Sequence, residues 1–180
     1  MTRAFNFYLC GGPLIPSEKK LTIVDSPGYG DRGTEEMGDL FRSYIMERSK
    51  YVWSPVRTSL RSTFVTCSLK LILLLFDAGV GMNRYDRSML EFLFKIHQEH
   101  RPDVDIQPVM SKLDKVSHHT TITRLGRTVE DIYRIAPAAR QPYILVGCKG
   151  HTKSFGIEEA RTQILLGSGL SSLRPRVSRI

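Results

Sequence analysis

An α/β domain with a mainly parallel sheet is the fold class this sequence predicts, and three observations carry the prediction. After an opening pair of strands the apolar pattern alternates strand, helix, strand, helix, the order that builds parallel strands with crossover helices. The run "LKLILLLFD" at 69–77 has almost no polar position, so both faces are expected to be covered and the strand to be central. A length of 180 residues suits one domain with a sizeable core, because two would leave each half small.

The elements follow in order. Residues 3–10, "RAFNFYLC", alternate with Phe5 and Phe7 on one face and predict a strand. "GGPLIPSEKK" carries the Gly and Pro signals of a connection, and "LTIVD" at 21–25 is a second, β-branched strand. So short a connection makes the two antiparallel neighbours. From Glu35 the period changes: Met37, Leu40, Phe41, Tyr44 and Ile45 recur at three and four residues, predicting an amphipathic helix with Thr34 as its cap. Polar, basic "KYVWSPVRTSLRSTFVTCS" is a surface connection interrupted by Pro55. Beyond the 69–77 strand come a helix over about 84–98, the strand "DIQPVM" and a helix over 117–134. "PYILVG" is strand-like and "IEEARTQILL" helical. The tail from Gly167, rich in Ser, Gly and Arg, is expected to be mobile.

Lys plus Arg exceed Asp plus Glu by 26 to 18, a formal charge of +8. That bias suits phosphate-rich partners such as RNA or anionic lipid, and equally an ordinary solvated surface. Cys10, Cys67 and Cys148 lie far apart without metal or disulfide spacing, which points to a reducing compartment. The longest apolar run, "LILLLF", is far too short to span a bilayer, and no signal peptide is visible. Adjacent His118 and His119 face different ways and suit a solvated helix start rather than a metal pair. Trp53 suits packing over the core better than stacking on RNA.

Ligands of open α/β sheets sit at the carboxyl ends of the parallel strands, and three predicted strand ends carry unusual residues. Asp25 is followed by Ser26, Pro27, Gly28, Tyr29 and Gly30. "IQPVM" runs into Ser111, Lys112, Leu113, Asp114 and Lys115, and "YILV", ending at Val146, runs into Gly147, Cys148 and Lys149. Each alone is weak; the three in this order are specific.

In combination they resemble the guanine-nucleotide-binding domain of translation-factor-like GTPases, with its Asp-x-x-Gly and Asn/Thr-Lys-x-Asp motifs. More narrowly, "DSPGYG", the helix ending "YIMERSKYV" and "LLFDAGVGMNRYDRSMLEFL" are similar to the EngB family of ribosome-biogenesis GTPases. The family's Asp-x-Pro-Gly-Tyr-Gly is filled by Asp25 to Gly30, its Tyr-Leu-x-x-Arg by Tyr44, Ile45 and Arg48, and its later acidic positions by Asp77 and Asp86 with Met89. The resemblance covers residues 1–166 as an EngB-type domain, leaving 167–180 as a basic tail.

The resemblance implies a three-layer, P-loop GTPase-type fold that binds GTP with magnesium. Asp114 would accept the ring N–H and the exocyclic amine of guanine, a donor pair adenine lacks. Lys112 would lie along the base, and the amides around Gly147 and Cys148 would meet its carbonyl. Ser111, Leu113 and Val146 belong to the same nucleotide-binding set. Asp25 and Thr2 would serve magnesium, and Ser26 to Gly30 would form the turn that senses the terminal phosphate. No catalytic residue is assigned. Tyr29 stands where other switch proteins carry glutamine, so slow hydrolysis that needs a partner or a monovalent cation is expected.

The implied role is a GTP-dependent switch in assembly of the large ribosomal subunit, with its precursor and rRNA as partners. Neither DNA nor a membrane span is expected, and the chain is expected to be a monomer. Eukaryotic relatives imply a mitochondrial location, the cytoplasm being the other. Arg57, Arg61, Arg174, Arg176 and Arg179 could follow an RNA backbone or could simply be solvated.

The family's Gly-x-x-x-x-Gly-Lys-Ser/Thr loop is absent from this sequence, and Thr2 falls on the family's magnesium-binding threonine. The expectation is therefore an internal methionine taken as the start, with the first strand, phosphate loop and first helix missing. Such a chain would be unstable or aggregate alone, because two strands would lose a ladder partner. The alternative function is a nucleotide-free RNA- or protein-binding module without GTPase activity. Within the match, Ser111 replaces Thr or Asn and keeps a hydroxyl, while Gly147-Cys148 replaces Ser-Ser.

Overall fold

A computed structural model describes residues 4–11, 20–28, 35–50, 69–116, 118–149 and 153–170. The chain divides into two compact units, Met1–Leu69 and Lys70–Ile180.

In the first unit, β1 (Asn6–Cys10) and β2 (Leu21–Asp25) pair antiparallel, with Phe7 opposite Val24 and Tyr8 opposite Ile23. Alternation puts Phe5 and Phe7 on one face, as expected, and that face meets α1 (Glu35–Lys50). The Tyr44 ring lies 4.6 Å from that of Phe5 and 6.5 Å from that of Phe7, and the Arg48 guanidinium sits 5.4 Å from the Tyr44 centroid. Phe41 and Ile45, one turn apart, are buried. Thr34, the expected cap, lies outside the described residues, as does the connection carrying Trp53, Arg57 and Arg61.

The second unit is built on a parallel sheet, β3 (Leu71–Asp77), β4 (Asp105–Ser111) and β5 (Ile144–Leu145), in that order. Four helices among the described residues and this sheet make the fold α/β and mainly parallel, as the sequence predicts. One expectation is corrected: among the described residues β4, not β3, is the central strand. A central strand has a hydrogen-bonded neighbour along each edge, and β4 has β3 on one side and β5 on the other. Among the described residues β3 pairs only with β4, and its burial alternates, with Leu74 and Phe76 inside and Leu75 exposed.

The α2 helix (Arg84–Glu99) buries Met89, Leu90, Leu93 and Ile96 at helical spacing. Asn83 caps it: its side chain accepts from the amides of Tyr85 and Asp86 at 2.8 and 2.9 Å, while the Asp86 carboxylate accepts from the Asn83 amide at 3.2 Å. Burial pushes the Asp86 carboxyl up, against the Asn83 amide, and the nearby charge of Asp77 pushes it further. The α3 helix (His118–Ile135) contributes fully buried Ile132. With Phe76, Leu90, Leu93, Met110 and Ile144 this residue forms the centre of the core.

Where "PYILVG" predicts one strand, β5 covers two residues and the chain turns at once into a hairpin. That hairpin pairs β6 (Gly147–Lys149) with β7 (Lys153–Phe155), Gly147 opposite Phe155. The last helix, α4 (Ile157–Gly167), extends one residue into the expected tail; residues 171–180, with Arg174, Arg176 and Arg179, lie outside the described residues. No helix among the described residues is long and apolar enough to cross a membrane.

Candidate functional site

Parallel strands β3, β4 and β5 all end on one edge, which brings Asp77, Ser111 to Asp114 and Val146 to Cys148 together. Backbone hydrogen bonds bind the three ends. Ala78 N–H donates to Ser111 O at 3.0 Å, Val146 N–H to Met110 O at 2.8 Å, and Leu113 N–H to Val146 O at 3.3 Å. The Ser111 hydroxyl donates to Phe76 O at 3.0 Å, so it ties β4 to β3. Retaining a hydroxyl at this position thus serves the sheet edge.

After Ser111 the chain turns sharply. Lys112 takes a left-handed conformation, φ 60°, and Leu113–Lys115 form a single 3₁₀ turn closed by Lys115 N–H to Lys112 O at 3.0 Å. The turn lifts Asp114 beside the β6–β7 hairpin, where its Oδ1 accepts from the Cys148 amide at 3.0 Å. No other hydrogen bond reaches the Asp114 carboxylate among the described residues. Oδ2 and the second lone pair of Oδ1 therefore remain open for two donors. The Cys148 amide is thus engaged by Asp114.

Gly147 is buried because the hairpin closes over it. A Cβ there would stand 2.4 Å from the Phe155 ring and 3.1 Å from the Asp114 backbone nitrogen. Glycine lets the hairpin and the Asp114 turn approach this closely without displacing the Phe155 ring or the Asp114 backbone. The sequence reading did not anticipate Phe155 or Gly156 as parts of the site. Their signal was the Gly at 156 immediately before a helix: it adopts φ 74°, and a Cβ would lie 1.7 Å from Leu145 O.

Asp77 is the other residue not assigned to the site from sequence. Its Oδ2 accepts from Lys112 Nζ at 2.7 Å and its Oδ1 from the Gly79 amide at 2.9 Å. Partial burial pushes the carboxyl up, but the Lys112 hydrogen bond and charge and the Gly79 amide outweigh it, holding it below the ordinary carboxylate range.

The remaining predicted residues lie in the first unit. Asp25 ends β2 and is exposed, followed by Ser26, buried Pro27 and exposed Gly28. Tyr29, Gly30 and Thr2 lie outside the described residues. Among the described residues no group of three or more His, Cys, Asp or Glu side chains could hold a metal ion.

A mainly parallel α/β sheet with a carboxylate and a closed hairpin at its carboxyl edge is consistent with a P-loop GTPase-type domain. No protein-family model matches the chain. It is similar to proteins of Bordetella pertussis, Bordetella parapertussis and Bordetella bronchiseptica, each named "Probable GTP-binding protein EngB". Each is 26% identical over 168 residues, which make up 91% of this chain and 67% of the relative.

Proposed function

We propose that this chain binds GTP through a guanine-reading site at the carboxyl edge of its parallel sheet. The observation that carries the reading is Asp114, held on a tight turn with one oxygen fixed by the Cys148 amide and acceptor capacity to spare. A fixed carboxylate selects the adjacent N–H donors of guanine and offers nothing to adenine's pattern. Lys112 presents an aliphatic stem beside it. The names of the Bordetella relatives support the same reading.

Magnesium would be held by Asp25, an exposed hard-oxygen donor that fits the ion, and by Thr2. Bound there it would neutralise charge on the nucleotide phosphates. The segment Ser26 to Gly30 would respond to the terminal phosphate. The resemblance to the EngB family extends the proposal to a GTPase switch in large-subunit ribosome assembly. The protein would act as a monomer on rRNA in mitochondria or cytoplasm, and the net charge of +8 suits that partner.

The lack of a Gly-x-x-x-x-Gly-Lys-Ser/Thr loop in this sequence favours a second reading, a module that contacts RNA or protein without nucleotide. Titration with a fluorescent GTP analogue, with and without magnesium, separates the two. Binding competed by GDP but not ADP, and weakened about 10- to 100-fold by Asp114→Ala, is the expected result, since hydrogen bonds to a charged group contribute ~1.5–3 kcal/mol. Binding of RNA without any nucleotide binding would establish the module instead.

A further inference from the structure

We propose that Asp77 is the positioning residue for Lys112, pinning its ammonium so that the lysine stem stands as a ready-made wall of the base site before nucleotide arrives. The inference rests on the guanine reading of Ser111 to Asp114 and deepens it.

Asp77 and Ser111 are register partners at the ends of neighbouring strands, so the residue after Ser111 passes directly beside the Asp77 carboxylate. That carboxylate is itself fixed. Its Oδ1 accepts the Gly79 amide at 2.9 Å, and its backbone carbonyl accepts Val80 and Gly81 amides at 3.1 and 2.8 Å. Only Oδ2 is left facing Lys112, and it lies 2.7 Å from Nζ. A Cβ on Gly79 would come within 3.2 Å of Oδ1, so the small residue lets the turn close around the carboxylate.

Lys112 is the one non-glycine with positive φ among the described residues. Such backbone persists only where its surroundings over-determine it, and here hydrogen bonds on both sides of Lys112 do so. The ion pair is half-exposed, with side-chain exposures of 53% and 32%, so its worth to folding is small. Its consequence is conformational: a long, rotamer-rich side chain is ordered in advance, and a base that stacks along it has less freedom to remove.

The test uses the full chain, with labelled GDP as probe, in wild type, Asp77→Asn, Lys112→Met and the double variant. Asn keeps an oxygen for the Gly79 amide but loses the charge, and Met keeps the stem but loses the ammonium. Asp77→Asn is expected to weaken binding about 5- to 20-fold, and the double variant to bind no worse than Lys112→Met. Losses that multiply in the double variant would mean that Asp77 acts through the 77–81 turn, and would overturn the proposal. A nucleotide-free readout stands beside it: the Lys112 ammonium should give a protected ¹⁵N signal that Asp77→Asn abolishes. If that signal is missing while wild type binds GDP and Asp114→Ala does not, the positioning role falls and the guanine reading stands. If no variant binds GDP, both fall.

Discussion

Gly156 and Gly147 show how two residues of one type answer to different constraints around the same site. At Gly156 the backbone is left-handed and a Cβ would strike the Leu145 carbonyl, a backbone atom that cannot move aside. At Gly147 the obstacle is the outer edge of the Phe155 ring, which is 48% exposed and free to swing. Gly156→Ala is therefore expected to destabilise the protein by at least ~2 kcal/mol, the left-handed penalty plus the clash. Gly147→Ala should lower stability less, yet still weaken nucleotide binding, because the Asp114 backbone nitrogen must give way. Urea denaturation of the two variants, beside labelled-GDP titration, checks the order; equal losses of stability would contradict it. The site residues were legible here only in part. Asp114 and Lys112 announce themselves as residue types, whereas Asp77 depends on a register that pairs it with a residue 34 positions away.

Among the elements, α2 has the best-defined start, and Asn83 with Asp86 provides it. The Asn83–Asp86 reciprocal cap satisfies three amides that the helix itself leaves without partners, those of Asn83, Tyr85 and Asp86. Asn83→Ala should cost about 1 kcal/mol, while Asn83→Asp should retain most of the stability. Thermal denaturation distinguishes them, and an Asp variant as unstable as Ala would mean that the cap contributes little. The long periodic elements were readable because burial imposes its period over several turns, so α2 and α3 lie within one residue of expectation. The β5–β6–β7 stretch was not readable, because two- and three-residue strands carry no period and are created by pairing alone. Pro108 is a related case: a proline in a central strand counts against strand assignment. It is tolerated because β5 pairs only Val109 and Met110. Beside it the Gln107 side chain donates to the carbonyls of Pro108 and Pro142 at 3.2 and 3.0 Å in place of a ladder.

For the molecule as a whole, exposed apolar surface is the salient property. Leu9 at 63% and Leu75 at 57% sit on strands, and β3 has no hydrogen-bonded neighbour other than β4 among the described residues. An open edge bearing apolar side chains is a template for association between copies. Away from the rRNA on which it would act as a monomer, the chain is expected to sediment as a concentration-dependent mixture, and Leu9→Lys with Leu75→Lys to shift it towards monomer. A wild-type chain that stays monomeric and melts in a single cooperative transition would contradict this. The expectation that β3 lies at the middle of the sheet came from its uniform composition. Apolar residues report that a surface wants cover, not which strand supplies it.

Arg140, at the other end of the parallel sheet, has a mechanical consequence. Its amide donates to Ile106 O at 2.8 Å, its carbonyl accepts the Tyr133 hydroxyl at 3.0 Å, and its guanidinium reaches Asp105 at 2.6 Å and Gln163 at 3.3 Å. One residue thus rivets β4, α3, the approach to β5 and α4 at the amino edge of the sheet. The carboxyl edge, by contrast, ends in single turns and a short hairpin. The unit is thus built like a vice with a welded heel, its amino edge cross-tied through one residue and its carboxyl edge formed by short turns.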